Sequence, residues 1–134
     1  GHEKYLYLKD KFIQNKRFYY DSSNNYFDIY SKSKLMITDY SGTAYTFAFL
    51  CLSPVIFLSL DEKKINQDGY SNYNFFLDRK KIGEVIFDEC HIINKIELIS
   101  KNYNLYEKNI IQLRKNMKYL NKATIEIKKV IERS

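Results

Sequence analysis

Residues 34–58 constrain the fold of this chain more than any other segment. Lys34-Leu35-Met36-Ile37-Thr38 is a compact apolar run without polar alternation, and Asp39-Tyr40-Ser41-Gly42 breaks it with turn-forming residue types. Thr43 to Leu52 follows as a nearly all-apolar helix, and a helix apolar on every side is a buried one. Pro54 then opens a second strand, Val55-Ile56-Phe57-Leu58, in keeping with proline's tolerance at a strand's first residue. Two unalternating strands joined by a buried helix make a βαβ unit. Such a unit demands a parallel sheet covered on both faces.

The flanking sequence extends this pattern. Glu3 to Asn15 carries Tyr5, Leu8, Phe12 and Ile13 at helical spacing. Arg17 to Tyr20 reads as a short strand, closed by the turn-forming run Asp21-Ser22-Ser23-Asn24-Asn25, and Tyr26 to Lys32 reads as a two-turn helix. Asp61 to Lys81 is polar and aromatic-rich with Gly69 inside it, which predicts a long loop of the kind that carries function. Glu84-Val85-Ile86-Phe87 is a last strand, and from Ile92 the chain turns helical. The expected fold is therefore α/β: a Rossmann-like parallel sheet of about four strands flanked by helices. Residues 1–102 would form this partial domain, and residues 103–134 a helical C-terminal extension. In that extension Tyr106, Ile110, Leu113, Met117, Leu120, Thr124, Ile127 and Ile131 alternate in steps of four and three. The stripe fits a helix packed on its own protein, a cover for another domain, or a self-associating coiled-coil seam.

Composition narrows the partners. No run of eighteen apolar residues occurs, and no secretory signal pattern opens the chain. The net charge of +6 is spread through Lys-, Asn-, Ile- and Tyr-rich text rather than gathered in a patch. Phosphate-bearing donors or an anionic membrane surface suit it better than nucleic acid. Cys51 lies in the apolar helix and reads as a small buried hydrophobe. Cys90 beside His91 does not make a metal site, and reduced cytosolic thiols are expected. His91 itself reads as a surface or capping residue.

The chemistry concentrates where the first strand of the βαβ unit ends. Ligands of open α/β sheets bind at the carboxyl edge, where this helix begins. Its first amides lack intrahelical partners and its dipole favours an anion. Ser41 and Thr43 add hydroxyl donors, and Gly42 lets a ligand approach the backbone, so a phosphate or pyrophosphate is the natural occupant. Ser41 serving only as an N-cap explains the same residues. Neither a P-loop nor a GxGxxG fingerprint is present. Asp78-Arg79-Lys80-Lys81 reads as a solvated charge run or as a phosphate contact. Tyr70, Tyr73, Phe75 and Phe76 could stack on a base or pack in the core.

The run Asp28-Ile29-Tyr30-Ser31-Lys32-Ser33-Lys34-Leu35-Met36-Ile37-Thr38-Asp39-Tyr40-Ser41-Gly42, continuing to Pro54-Val55-Ile56-Phe57, resembles the CDP-glycerol glycerophosphotransferase family. These are bacterial teichoic-acid and capsule polymerases of GT-B architecture. Asp68-Gly69-Tyr70 and Lys81-Ile82-Gly83-Glu84-Val85-Ile86 look like the family's later segments. The resemblance covers Tyr26 to Ile99. It departs at Lys34, where the family has Asp, at Gly42, where it has a second Ser, and in lacking the family's His-Pro pair.

What the resemblance implies is a transferase whose nucleotide-binding domain holds a CDP-type donor as a substrate, with no cofactor. No metal is expected, because an acid at Asp39 would repel the donor phosphates, with Asp39 as a metal ligand or base the alternative. Ser41, Gly42 and Thr43 would contact the donor phosphates, while Thr38, Asp39 and Tyr40 shape the turn. Gly69, Tyr70 and Arg79 would be donor-loop contacts. The acceptor would be a surface polymer, and the location cytoplasmic, at the inner face of the membrane. An N-terminal acceptor domain and the catalytic histidine are expected outside this chain, so turnover by the chain alone is not expected. A GT-B enzyme using a UDP-sugar and a non-catalytic α/β interaction domain are the competing readings.

Overall fold

The computed structural model describes residues 2–23, 25–39 and 41–116. The chain divides at Lys32 and Ser33 into two compact units.

In the first unit, helix α1 spans His2–Phe12 and helix α2 spans Tyr26–Lys32. Both helices stand where the sequence places them. The strand expected at Arg17–Tyr20 does not form. The Asn15 side chain accepts the Arg17 amide at 2.9 Å and the Asn15 carbonyl accepts that of Phe18 at 2.9 Å, which curls the chain into a turn. Phe18 then sets its ring 5.9 Å from that of Phe12 at the end of α1. Phe18 is thus spent on local packing, while Tyr19 stays in solvent. Asp21 closes the next turn by accepting the amide and hydroxyl of Ser23 at 3.0 and 2.7 Å.

The second unit holds the sheet. Strands β1 (Met36–Thr38), β2 (Val55–Leu58) and β3 (Gly83–Ile86) are parallel, in the order β1-β2-β3. Three strands thus carry the α/β fold among the described residues. Helix α3 (Thr43–Cys51) joins β1 to β2, while helices α7 (Ile92–Lys101) and α8 (Tyr103–Asn116) follow β3.

β2 is central, and Val55, Ile56 and Phe57 are all fully buried. Successive side chains of a strand point to opposite faces, so this continuous apolar run serves two layers at once. Ile56 packs with Ile86 and with Ile99 of α7 on one face. Phe57 meets Tyr45 of α3 on the other, with ring centroids 6.3 Å apart. Each fully buried side chain of this size contributes about 1.5–3 kcal/mol relative to an exposed one.

α3 is buried as its composition demands, with Ala44, Phe47, Ala48 and Phe49 all but inaccessible. It ends at Leu52 in the left-handed region, φ 52°. Arg114 of α8 donates to the Phe49 carbonyl at 2.9 Å, placing a cation at the negative end of the α3 dipole. The Tyr103 hydroxyl lies 2.8 Å from Ser53 Oγ and donates to the Lys34 carbonyl at 3.2 Å. The two ends of α8 are thereby tied to the βαβ unit, Tyr103 at Lys34 and Ser53 and Arg114 at Phe49. Ile110 and Leu113, part of the expected stripe, are buried, and Tyr106 packs against the Ile56 cluster. This stretch of the stripe faces its own protein. Met117, Leu120, Thr124, Ile127 and Ile131 lie outside the described residues.

The segment 61–81, expected as a long loop, is folded into short helices: α4 (Glu62–Gln67), α5 (Asn74–Leu77) and α6 (Arg79–Ile82). Gly69, at φ 79°, turns the chain out of α4 into a 3-10 turn over Tyr70–Asn72. A left-handed residue just past a helix is the position glycine fills without steric cost.

Candidate functional site

In a parallel sheet the turns after each strand gather at one edge. Here that edge carries two features, the turn after β1 and the short-helix segment after β2.

The first is the turn into α3. Thr38 closes β1 half-buried, Asp39 is exposed, and Tyr40 lies outside the described residues. Ser41 Oγ sits 3.0 Å from Thr43 Oγ1 and accepts the Thr43 amide at 3.4 Å. The Ser41 carbonyl accepts the Ala44 amide at 3.2 Å. The two hydroxyls predicted as anion contacts are therefore brought together at the positive end of a buried helix. Gly42, the N-cap residue, has ordinary helical angles (φ −61°), and open space surrounds the position a Cβ would take. Backbone conformation does not require glycine there. Replacing Gly42 with Ser is expected to leave the chain as stable as before, or up to about 1 kcal/mol more stable, because serine caps well and narrows the unfolded ensemble. A loss above about 1 kcal/mol in a urea melt would contradict the open surroundings of Gly42.

The second feature lies beyond β2. Ile65, Phe75 and Phe76 back a cleft of about 560 Å³, and Tyr70 and Tyr73 stand at it half-exposed or more, at 46% and 60%. Their rings meet edge to face with centroids 5.6 Å apart. Asp61, Lys64 and Asp68 add charge to the lining. The sequence singled out neither Asp61 nor Lys64, and Asp68 only within the segment Asp68-Gly69-Tyr70. Their signal is legible in retrospect, since Asp61, Lys64, Ile65 and Asp68 follow the i, i+3, i+4, i+7 spacing of one helix face. The cleft is joined to the first feature through α3. The Tyr45 hydroxyl donates to the Phe75 carbonyl, and the two rings meet at 5.2 Å. Tyr45 stands two residues past Thr43.

Arg79 and Asp78 are buried, at 7% and 6%, so half of the expected solvated charge run faces inward. The Arg79 guanidinium grips both carboxylate oxygens of Glu62, at 2.7 and 3.0 Å, and donates from Nε to the Phe76 carbonyl at 3.0 Å. It also lies 5.1 Å from the Phe76 ring centre. Ser59, the residue after β2, donates to Glu62 at 2.5 Å. The hydrogen bond from Arg79, helped by that from Ser59, holds the Glu62 carboxyl below its ordinary range. Arg79, predicted as a donor-loop contact, thus fastens the segment that carries Phe76. Lys81 pairs with Asp78 at 2.9 Å with its own side chain in solvent.

The cysteines differ in setting. Cys51 is half-buried rather than fully buried, and burial raises its thiol. Cys90 is exposed, and the Asp88 carboxylate beside it raises its thiol. His91 is exposed at the start of α7. Among the described residues no helix is long and apolar enough to cross a membrane.

These features define an α/β domain with its candidate ligand edge at the carboxyl end of a parallel sheet, where anionic ligands of such folds bind. The chain belongs to the CDP-glycerol:poly(glycerophosphate) glycerophosphotransferase family, which matches residues 5–130. It is a protein of transferase type, and the family implies in general a nucleotide-linked donor and a polymer acceptor. Comparison with curated proteins and with solved structures gave no match.

Proposed function

We propose that this chain forms the donor-binding part of an enzyme that moves a glycerophosphate or related polyol-phosphate unit from a CDP-linked donor to a surface polymer of teichoic-acid or capsule type. The observation that carries the reading is the paired hydroxyls of Ser41 and Thr43, 3.0 Å apart at the start of α3. Family membership over residues 5–130 supports the donor class.

In this reading the pyrophosphate of the donor lies against the α3 start, with Ser41 and Thr43 as donors and Gly42 leaving the approach open. Thr38, Asp39 and Tyr40 shape the turn, and Gly69, Tyr70 and Arg79 belong to the donor-side segment. An acceptor hydroxyl attacks the β-phosphorus, a new P–O bond forms, and CMP leaves with the electrons of the broken bond. Charge building on the phosphate oxygens is met by the helix terminus and the two hydroxyls, which act by position and electrostatics. The base that takes the acceptor's proton belongs to residues outside this turn. The net charge of +6 suits both an anionic donor and work at the inner face of a membrane.

Calorimetry with CDP-glycerol, CDP, CMP and UDP tests the proposal. Ser41→Ala and Thr43→Ala are each expected to weaken CDP binding roughly ten- to a hundredfold, since a hydrogen bond to a charged group contributes about 1.5–3 kcal/mol. Binding of CDP unchanged by both substitutions would overturn the assignment of this turn.

A further inference from the structure

Helices α6 and α8 pack together, and between them runs a groove of about 380 Å³ lined by Lys80, Lys81, Asn109, Gln112, Leu113 and Asn116. It stands apart from the candidate ligand edge. α6 ends at Ile82, where β3 begins, and α3 ends just ahead of β2. Both helix ends therefore mark the amino edge of the parallel sheet, and Arg114 of α8 reaches the Phe49 carbonyl there. The Ser41–Thr43 turn follows β1 and lies at the opposite, carboxyl edge.

The lining has a definite chemistry. Asn109, Gln112 and Asn116 recur at i, i+3 and i+7 on one face of α8, with the buried Leu113 among them. Each amide offers both donors and an acceptor, the combination that pairs with a hydroxyl. Lys80 and Lys81 supply ammoniums, which only donate. Among the described residues no carboxylate lines the groove. Lys81 is paired at 2.9 Å with the buried Asp78, whereas Lys80, Asn109 and Gln112 make no side-chain hydrogen bond or ion pair with another described residue. The fold does not use these three groups, so they are available to a ligand.

Amides that match hydroxyls, beside cations that match phosphates, call for a ligand that alternates the two. A polyol-phosphate chain has that character. No aromatic ring lines the groove among the described residues, so the bases of a nucleic acid would find nothing to stack on. An inorganic anion would use the lysines and leave the row of amides idle.

We infer that this groove is a holding site for a polyol-phosphate polymer, away from the end of the chain that reacts. It grips segments already built and keeps the polymer on the protein between additions. The inference rests on the polymer-acceptor part of the reading above and not on the assignment of the Ser41–Thr43 turn.

Titration calorimetry on the whole chain tests it with poly(glycerophosphate) oligomers, inorganic polyphosphate, single-stranded RNA and CDP as probes, and thermal melts confirm that each variant folds. The oligomers are expected to bind more tightly than polyphosphate or RNA of equal charge, and more weakly as salt rises. Lys80→Gln is expected to weaken oligomer binding roughly three- to tenfold, and Asn109→Ala with Gln112→Ala by a similar factor, since these changes remove hydrogen bonds of ordinary strength. Gln112→Glu, which sets a carboxylate among the amides, should weaken it further. CDP affinity is expected to stay within about twofold in all of these variants, because the two sites lie at opposite edges of the sheet. Oligomer binding that survives every substitution would overturn the groove. Polyphosphate or RNA bound as tightly as the oligomers, with the double amide variant silent, would show only a patch of positive charge and overturn the inference as well. A chain that binds CDP but no oligomer would remove the holding site and leave the donor reading standing. Groove-dependent oligomer binding without CDP binding would support the holding site and count against the donor turn alone.

Discussion

Gly83→Ala is expected to lower the unfolding free energy of the sheet-bearing unit by about 3 kcal/mol or more, read as a fall in the urea midpoint. The reason lies in a single contact. Gly83 opens β3 and pairs with Val55 of β2, and a Cβ built on it would stand 1.7 Å from the Val55 carbonyl oxygen. The Val55 carbonyl carbon and amide nitrogen would lie at 2.7 and 2.8 Å. All three atoms are backbone of the central strand, so no rotamer change relieves the overlap. The strands must part, and the central strand is where both faces of the core meet. Native domains hold only about 5–15 kcal/mol in reserve, so a loss of this size removes a large fraction of it. Gly42→Ser supplies the internal comparison, since that glycine has nothing within 4 Å of its virtual Cβ. A Gly83→Ala chain as stable as the parent would show that β2 and β3 do not approach as described.

Much of this architecture was legible in the sequence because the βαβ unit carries its signal over a long stretch. The boundaries of α3 and β2 follow from Gly42, Leu52 and Pro54, and the unalternating Val55-Ile56-Phe57 announces a strand buried on both sides. Two features were misread, each for a physical reason. Arg17–Tyr20 has strand-like residues but no neighbour to pair with among the described residues, and Asn15 turns the chain first. Residues 61–81 read as a loop because helices of four to six residues complete too little of a period to show one. Burial of Arg79 could not be seen either. Its partner Glu62 stands seventeen positions away, and only folding of the intervening turns brings the two together.

The candidate site was legible to the same degree as the segments that carry it. The Ser41-Gly42-Thr43 turn was legible as a hydroxyl-rich link between a strand and a buried helix, a place that suits a phosphate and a plain N-cap alike. That Asp61, Lys64 and Asp68 line a cleft was not legible, because an i, i+3, i+7 pattern of charge resembles any solvated helix face until a cleft is seen beneath it.

Breaking the Arg79–Glu62 pair is the other change expected to have a large effect. Arg79→Ala should destabilise the chain by about 2–4 kcal/mol, the lower part of the range fitting a carboxylate whose side chain keeps 20% of its surface. The substitution leaves Glu62 half-buried with Ser59 as its remaining partner, and it frees the Phe76 carbonyl and ring. Arg79→Lys keeps the charge but not the two-pronged geometry, so a smaller loss of about 1–2 kcal/mol is expected. The pair also predicts a pH dependence. The folded state holds Glu62 below its ordinary pKa, so the unfolded chain takes up a proton at this carboxyl first as pH falls. Stability from the pair is therefore complete above the unfolded carboxylate range, near pH 4.5, and is lost as pH drops through the lower folded value. Urea melts between pH 7 and pH 3 should show the parent losing stability in that window. Glu62→Gln should lose less, because it has no carboxylate to protonate. Parallel acid slopes for the two chains would mean that Glu62 is not held by Arg79 in solution.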